Sequence, residues 1–160
     1  MKNSILFFLL TVLLPLSVSC SNEEPKEDFD RDLIITAKIN DVYFRQYVEG
    51  AIVGNSIVAT KRDVEENDEA VSITLYIPAD FEVGKLYEMD YANPSEATCY
   101  AIFTDADGEQ IFPVYGWVRI MGRQVHEQGG VIKDAYVRGE FGFYTDYYQV
   151  TEGKFNIKYR

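Results

Sequence analysis

The chain has 160 residues and a formal net charge of −11 at pH 7, from 26 acidic and 15 basic side chains. This charge argues against nucleic acids and anionic membrane surfaces as partners, because like charges repel. The two cysteines are too few for a disulfide framework. A chain of this length is typical of one domain with a hydrophobic core of its own.

The first residues have the layout of a secretion signal. Lys2 supplies a positive charge, residues 5–14 form an apolar run, and the small residues 17–19 precede Cys20. An apolar helix of about ten residues rises only ~15 Å, about half the hydrocarbon thickness of a bilayer. We therefore expect residues 1–19 to be a signal peptide and not a membrane-spanning helix.

Cys20 resembles the cysteine of the bacterial lipobox, in which the thiol is acylated and the cysteine becomes the first residue of the mature protein. Ser17 stands where such signals usually carry leucine, and Leu16 lies one place early. The alternative is an ordinary signal peptide that leaves Cys20 as a free or disulfide-bonded thiol. We expect lipid attachment at Cys20, because several acyl chains give stable anchoring in a membrane.

The segment 20–32 contains six acidic residues, two basic residues and one aromatic residue. This composition cannot bury enough apolar surface to offset the loss of chain entropy, so it predicts a disordered tether. Acidic residues behind a lipidated cysteine also resemble the export signal that sends Bacteroidetes lipoproteins to the cell surface; the alternative is a plain spacer. The expected location is the outer membrane, lipid-anchored, with the domain on the extracellular face.

Residues 33–160 are expected to form one all-β domain. Apolar and polar side chains alternate in "LIITAKIN" and "VSITLYI", and Phe155, Ile157 and Tyr159 share one face of the last segment. Turn signals recur at short spacing, at residues 54–55, 63–68, 83–84, 93–94, 105–108, 128–130 and 152–153. The pattern predicts an antiparallel β-sandwich or β-barrel of roughly nine to ten strands, with a short helix near residues 94–98.

Three sites within these strands carry more specific predictions. Asn40-Asp41 is expected to form the turn of the first hairpin. Gly139 and Gly142 interrupt a strand, which predicts a bulge, a bend or the close packing of an aromatic ring. Gly153 is expected to lie in a tight hairpin turn between residues 148–151 and 154–159.

Five segments of the chain form a recognisable set: "ITAKINDVYF" at the start, "VGKLYEMDY" and "ATCYAIF" in the middle, and "VRGEFGFY" with "QVTEGKFNIKY" at the end. Together they resemble a family of small Bacteroidetes lipoproteins of unknown function. Members of that family pair a first hairpin of the type xAxIDGxxF with a terminal GxFxF…ITxGxF pattern. The resemblance implies an all-β lipoprotein and brings no established activity, ligand or catalytic residue.

The chain contains few residues that indicate catalysis. His126 is the single histidine and lies in the polar segment "RQVHEQGG", where it is expected to be exposed to solvent. Cys99 is expected to pack as a small apolar side chain. "DADGE" at residues 105–109 has oxygen ligands spaced as at the start of a calcium loop, but it lacks the later glutamate and predicts a β-turn. A pair of catalytic carboxylates among the many acids stays open, since no spacing singles one out.

The aromatic residues give the best indication of a binding surface. Tyr115 and Trp117 are two apart and face the same way on a strand, and Trp117 is expected to belong to the core. Tyr144, Tyr147 and Tyr148 cluster near a strand end and are the candidate ligand-binding residues. Exposed rings of this kind offer flat stacking surfaces to a sugar ring or a protein partner.

Together these features predict a lipid-anchored, surface-exposed binding or interaction module without enzymatic activity. The expected partners are the membrane, through the lipid on Cys20, and a glycan or a protein; no nucleic acid, cofactor or metal is expected. One alternative is a structural accessory subunit of an outer-membrane assembly, which would show an exposed edge strand or apolar patch. Another is a hydrolase with an unrecognised carboxylate site, or with His126 beside a nucleophile.

Overall fold

The computed structural model describes residues 33–62, 71–89 and 99–159. Within these residues the chain forms ten β-strands and contains no helix. The strands are β1 (Ile34–Ile39), β2 (Val42–Val53), β3 (Ser56–Lys61), β4 (Ser72–Pro78), β5 (Leu86–Glu88), β6 (Tyr100–Thr104), β7 (Gln110–Ile111), β8 (Tyr115–Gln128), β9 (Val131–Tyr144) and β10 (Gln149–Tyr159). The predicted signal peptide, the tether, the turns at 63–68 and 93–94 and the helix near 94–98 lie outside the described residues.

All ten strands belong to one antiparallel sheet with the order β5-β8-β9-β10-β1-β2-β3-β4-β6-β7. The sheet curls into a half-barrel, which confirms the prediction of an all-β antiparallel fold. An isolated parallel bridge joins Met89, which follows β5, to Cys99, which precedes β6. This bridge brings the two ends of the curled sheet together.

Most of the predicted turns within the described residues are present. Asn40 and Asp41 have φ of 48° and 66°, the left-handed pair that a two-residue hairpin between β1 and β2 requires. The DADGE segment folds as a turn in which Asp105 Oδ1 accepts hydrogen bonds from the backbone N–H groups of Asp107 and Glu109. The β-turn predicted from its sequence is therefore confirmed.

The prediction of a hairpin at Gly153 is wrong. β10 continues through this position as one strand, and the pairing with β9 shifts register between Val150 and Gly153. The extra residue is accommodated by Glu152, whose φ is 50°. A glycine beside a left-handed residue has the same sequence pattern in a β-bulge as in a tight turn, and here it marks the bulge.

Two glycines let aromatic rings of the core lie close to the backbone. A Cβ at Gly139 would lie 2.6 Å from Cζ of Phe155, and one at Gly153 would lie 2.7 Å from Cδ1 of Phe141. Any larger residue would displace these core rings. The close aromatic packing that was predicted at Gly139 is confirmed.

The hydrophobic core fills the inner face of the curled sheet. The side chains that are fully buried there include Ile35, Ile57, Ile73, Leu75, Ile77, Phe103, Ile120, Phe141, Phe143 and Ile157. They come from strands at both ends of the sheet order, so the curl encloses the core. Cys99 is fully buried among them, and its burial raises the pKa of the thiol to about 12. The expectation that Cys99 packs as an apolar side chain is confirmed.

One polar side chain crosses this core. Gln46 of β2 is 5% exposed, and its Nε2 donates to the carbonyl oxygen of Ile73 while its Oε1 accepts from the Ile73 N–H, both at 2.8 Å. β3 separates β2 from β4, but its pairing with β4 ends at Ala59 opposite Leu75, so the Ile73 N–H and C=O lie beyond the last β3–β4 pair and bond to Gln46 instead. The amide of Gln46 takes the place of the missing peptide group and joins β2 directly to β4.

Candidate functional site

Four aromatic side chains lie at one end of the sheet: three are on the outer face that points away from the core, and the fourth is in the loop between β9 and β10. Tyr115 begins β8 and Tyr144 ends β9, and the two are directly paired across the strands. They are 56% and 44% exposed, and Tyr147, three residues further on, is 77% exposed. With Trp117, these residues form what we call the aromatic platform.

Tyr115 and Trp117 lie on the outer face because side chains along a β-strand point alternately to the two faces of the sheet. Gly116, Val118 and Ile120 of β8 are buried, so Tyr115 and Trp117 must face outward. The prediction that these two rings share a face is confirmed. The prediction that Trp117 belongs to the core is wrong: its side chain is half-buried on the outer face.

Trp117 is half-buried because it packs against a neighbouring strand and not against the core. It is paired with Gly142 of β9, where a Cβ would lie 3.3 Å from the indole Nε1 and 3.4 Å from Cε2. The absence of a side chain at Gly142 lets the indole lie against the backbone of β9. The indole therefore lies against β9 and stays half-exposed on the same face of β8 as Tyr115.

Amide groups border the platform on the side of β10. Gln149 is paired with Tyr144, and its Nε2 lies 3.5 Å from the Tyr144 hydroxyl, to which it donates. The Gln149 backbone N–H donates to Oδ1 of Asn40 at 2.9 Å, and the Asn40 N–H donates to the Gln149 carbonyl oxygen at 2.9 Å. The end of the first hairpin therefore fixes the position of an exposed amide beside the aromatic rings.

The loop between β9 and β10 separates the three tyrosines that were predicted to cluster. Thr145 Oγ1 accepts hydrogen bonds from the N–H groups of Tyr147 and Tyr148, which orders the loop. Tyr148 turns inward and is half-buried, with its ring centroid 4.6 Å from that of Phe103. Tyr144 and Tyr147 face solvent, while Tyr148 anchors the loop to the core.

Charges of both signs border the platform: Arg119 is exposed on β8, two residues from Trp117 and on the same face, and two acids lie nearby. Glu88 of β5 is paired with Trp117 and is exposed, and Asp146 is exposed beside Tyr147. The platform itself consists of uncharged rings. A strongly anionic ligand would meet repulsion from both carboxylates and from the net charge of the chain.

The remaining candidates lie away from the platform. His126 is exposed on β8, where its ring is hydrogen-bonded to the Gln124 amide and lies 5.6 Å from the Tyr136 ring. The predicted exposure of His126 is thus confirmed, and no serine or cysteine is among these contacts. In residues 33–62, 71–89 and 99–159 no three His, Cys, Asp or Glu side chains are grouped closely enough to hold a metal ion.

Sequence comparison gives no relative on which to test this site: no family model matches the chain, and no curated protein or solved structure matches it either. The described part of the chain also holds no helix long and apolar enough to cross a membrane. The choice of the platform as the candidate site therefore depends on its geometry alone. The close packing of an aromatic ring predicted at Gly142 is confirmed, and the ring is that of Trp117, which the sequence did not identify. Sequence reasoning missed Gln149 as the amide beside Tyr144.

Proposed function

We propose that this protein is a lipid-anchored module of the outer membrane that binds a neutral glycan through the aromatic platform and catalyses no reaction. The observation that carries the proposal is the exposed pair of Tyr115 and Tyr144, held side by side on neighbouring strands with Trp117 beside them. The resemblance to Bacteroidetes lipoproteins and the lipobox-like segment before Cys20 support the anchor and the extracellular location.

The chemistry of the platform favours a glycan over a protein partner. The face of an aromatic ring carries negative charge density and attracts partly positive C–H groups, such as those on the face of a sugar ring. The Gln149 amide at the border supplies a donor and an acceptor for sugar hydroxyl groups. Protein interfaces depend on a buried apolar centre, whereas this surface is an open group of rings with polar tips.

The direction of β1 supports binding at the cell surface. The chain enters the sheet at Ile34, and β1 ends at Ile39, next to the Asn40-Gln149 contact that borders the platform. Five steps along a strand advance about 17 Å. The platform therefore lies at the end of the sheet away from the entry of the chain from Cys20, and an anchored domain would present it to the outside.

Two specific forms of the alternatives, pairing through a strand edge and a hydrolase built on His126, have less support. A structural subunit that pairs through a strand edge needs a long exposed edge, whereas the edge strands β5 and β7 have three and two residues. A hydrolase built on His126 needs a nucleophile within hydrogen-bond reach, whereas the imidazole is bonded to the Gln124 amide.

A panel of neutral polysaccharides in affinity electrophoresis tests the proposal. We expect at least one polysaccharide to retard the wild-type protein, and Tyr144→Ala and Tyr147→Ala to lose the retardation. Tyr47→Ala is the matched control, because Tyr47 is 40% exposed but lies on β2, away from the platform. Retardation that is equal for all three variants, or no retardation by any polysaccharide, contradicts glycan binding at the platform.

A further inference from the structure

The end of the sheet opposite the platform carries a second apolar surface, beginning with the tip of the β2–β3 hairpin. Ile52 and Val53 are 47% and 61% exposed at this tip, which turns at Gly54 with φ of 60°. Residues 50–60 include no charged side chain, although 26% of the chain is charged.

The β8–β9 hairpin provides a second tip with the same character. It turns at Gly129 and Gly130, with φ of 63° and 76°, and the next two residues, Val131 and Ile132, are 57% and 54% exposed. The pairing of β9 with β10 ends at Ala135 opposite Tyr159. The tip therefore stands beyond the last residue of its neighbouring strand.

Both tips lie at the end where the chain enters the domain. β1 begins at Ile34, which is paired with Tyr47 of β2 and Asn156 of β10. β2 continues from Tyr47 for six more residues to Val53, or about 20 Å. The two hairpins thus project past the start of β1 in the same direction.

A recess lies in the space that the short β1 leaves open. It has a volume of about 350 Å³ and is lined by Leu33, Val48, Glu49, Gly50, Ala51, Arg62, Lys158 and Tyr159. Leu33 is the first described residue of the chain, so the described domain begins beside this recess. Thirteen residues span at most ~45 Å, which bounds the distance between Leu33 and a lipid on Cys20.

We propose that the exposed tips of the β2–β3 and β8–β9 hairpins insert into the interfacial region of the membrane that holds the lipid anchor. The inference rests on the proposed anchoring through Cys20. Each tip is bordered by one acid and one base, Glu49 with Lys61 and Glu127 with Lys133, so the contact needs no anionic lipid. Insertion of apolar side chains removes them from water and orients the domain with its aromatic platform outward.

The test uses the full acylated protein in phosphatidylcholine vesicles, with a polarity-sensitive thiol dye at one introduced cysteine. Val53→Cys and Ile132→Cys place the dye at the tips. Val42→Cys and Val114→Cys are matched controls, since Val42 and Val114 are 69% and 70% exposed at the platform end. Cys99 is fully buried and stays unlabelled in the folded protein.

We expect the emission of the dye at the two tips to shift to the blue on vesicles and to be quenched by nitroxide-labelled lipid, with no change at the two control positions. If the protein floats with the vesicles but the dye at the tips shows the same emission and quenching as at the control positions, the tips do not contact the membrane, and the anchor is unaffected by this result. A protein that fails to float with the vesicles overturns the anchor and this proposal together. A tip shift that depends on protein concentration without vesicles assigns the surface to a second copy of the chain instead.

Discussion

Replacement of Gln46 by leucine removes both hydrogen bonds that join β2 to β4 across the core. Each buried hydrogen bond contributes about 1 kcal/mol net, and each backbone group left without a partner costs about 1–3 kcal/mol. The N–H and C=O of Ile73 lose the partner that Gln46 provides, while the leucine side chain recovers about 1–2 kcal/mol of apolar burial. We therefore expect Gln46→Leu to lower the free energy of unfolding by about 3 kcal/mol, a large part of the 5–15 kcal/mol typical of a domain.

Urea unfolding followed by circular dichroism measures this change through the midpoint at constant slope. Gln110→Leu is the matched control, because Gln110 is exposed on the edge strand β7, and it should change stability by less than about 0.5 kcal/mol. An unfolding midpoint for Gln46→Leu that equals that of the control would refute the bridging role of Gln46.

Gln46→Glu adds a pH dependence with a definite sign. A protonated carboxylic acid at this position accepts from the Ile73 N–H and donates to the Ile73 carbonyl, as the amide does, whereas a carboxylate cannot donate. Burial and this hydrogen bond raise the pKa of the introduced acid in the folded state above the ~4.3 of an unfolded glutamate. The stability of Gln46→Glu should therefore be greatest at low pH and fall, relative to wild type, as pH rises above ~4.3.

Three further predictions concern the anchor and the platform. Cys20→Ala should leave an unlipidated precursor that does not partition with membranes, and mass spectrometry of the wild-type N-terminus should show an acylated cysteine; an unmodified cysteine contradicts the anchor. Alanine in place of the tether acids should reduce protease accessibility at the cell surface without changing the melting temperature; unchanged accessibility would make the acids a spacer. These acids are Glu23, Glu24, Glu27 and Asp28. Trp117→Ala should lower the free energy of unfolding by about 1–2 kcal/mol, less than the ~3–5 kcal/mol typical of a core aromatic residue, because the ring is half-buried. Tyr147→Ala should lower it by less than about 1 kcal/mol. A loss above about 3 kcal/mol for Trp117→Ala would show that the ring belongs to the core.

The alternation of apolar and polar side chains predicted the strands well because one face of the sheet is buried and the other is exposed to solvent. Phe155, Ile157 and Tyr159 all face the core, and the turn at Asn40-Asp41 has the backbone that its residue types favour. These features are local, so a single sequence is enough to find them.

The predictions that failed depend on contacts between residues that are far apart in the sequence. The pattern Glu152-Gly153 fits a turn as well as a bulge, and only the pairing with β9 decides between them. The burial of Trp117 depends on Gly142, which is 25 residues away in the chain and directly opposite in the sheet. Gln46 did leave a signal, since it stands between Phe44 and Val48 in the inward register of β2, where a polar side chain needs a buried partner.

Trp117 is the single tryptophan of the chain and belongs to the platform, so its fluorescence reports directly on a ligand bound there. Titration of the protein with a neutral oligosaccharide from a polysaccharide that it binds is the most direct test of the central claim. A sugar ring that stacks on the platform displaces water from the half-buried indole. We therefore predict that the Trp117 emission shifts to the blue and that the shift saturates with ligand. Tyr144→Ala should abolish this shift, and Tyr47→Ala should leave it unchanged. Saturable binding with an unchanged emission spectrum, or an equal shift in both variants, would contradict the platform as the binding site.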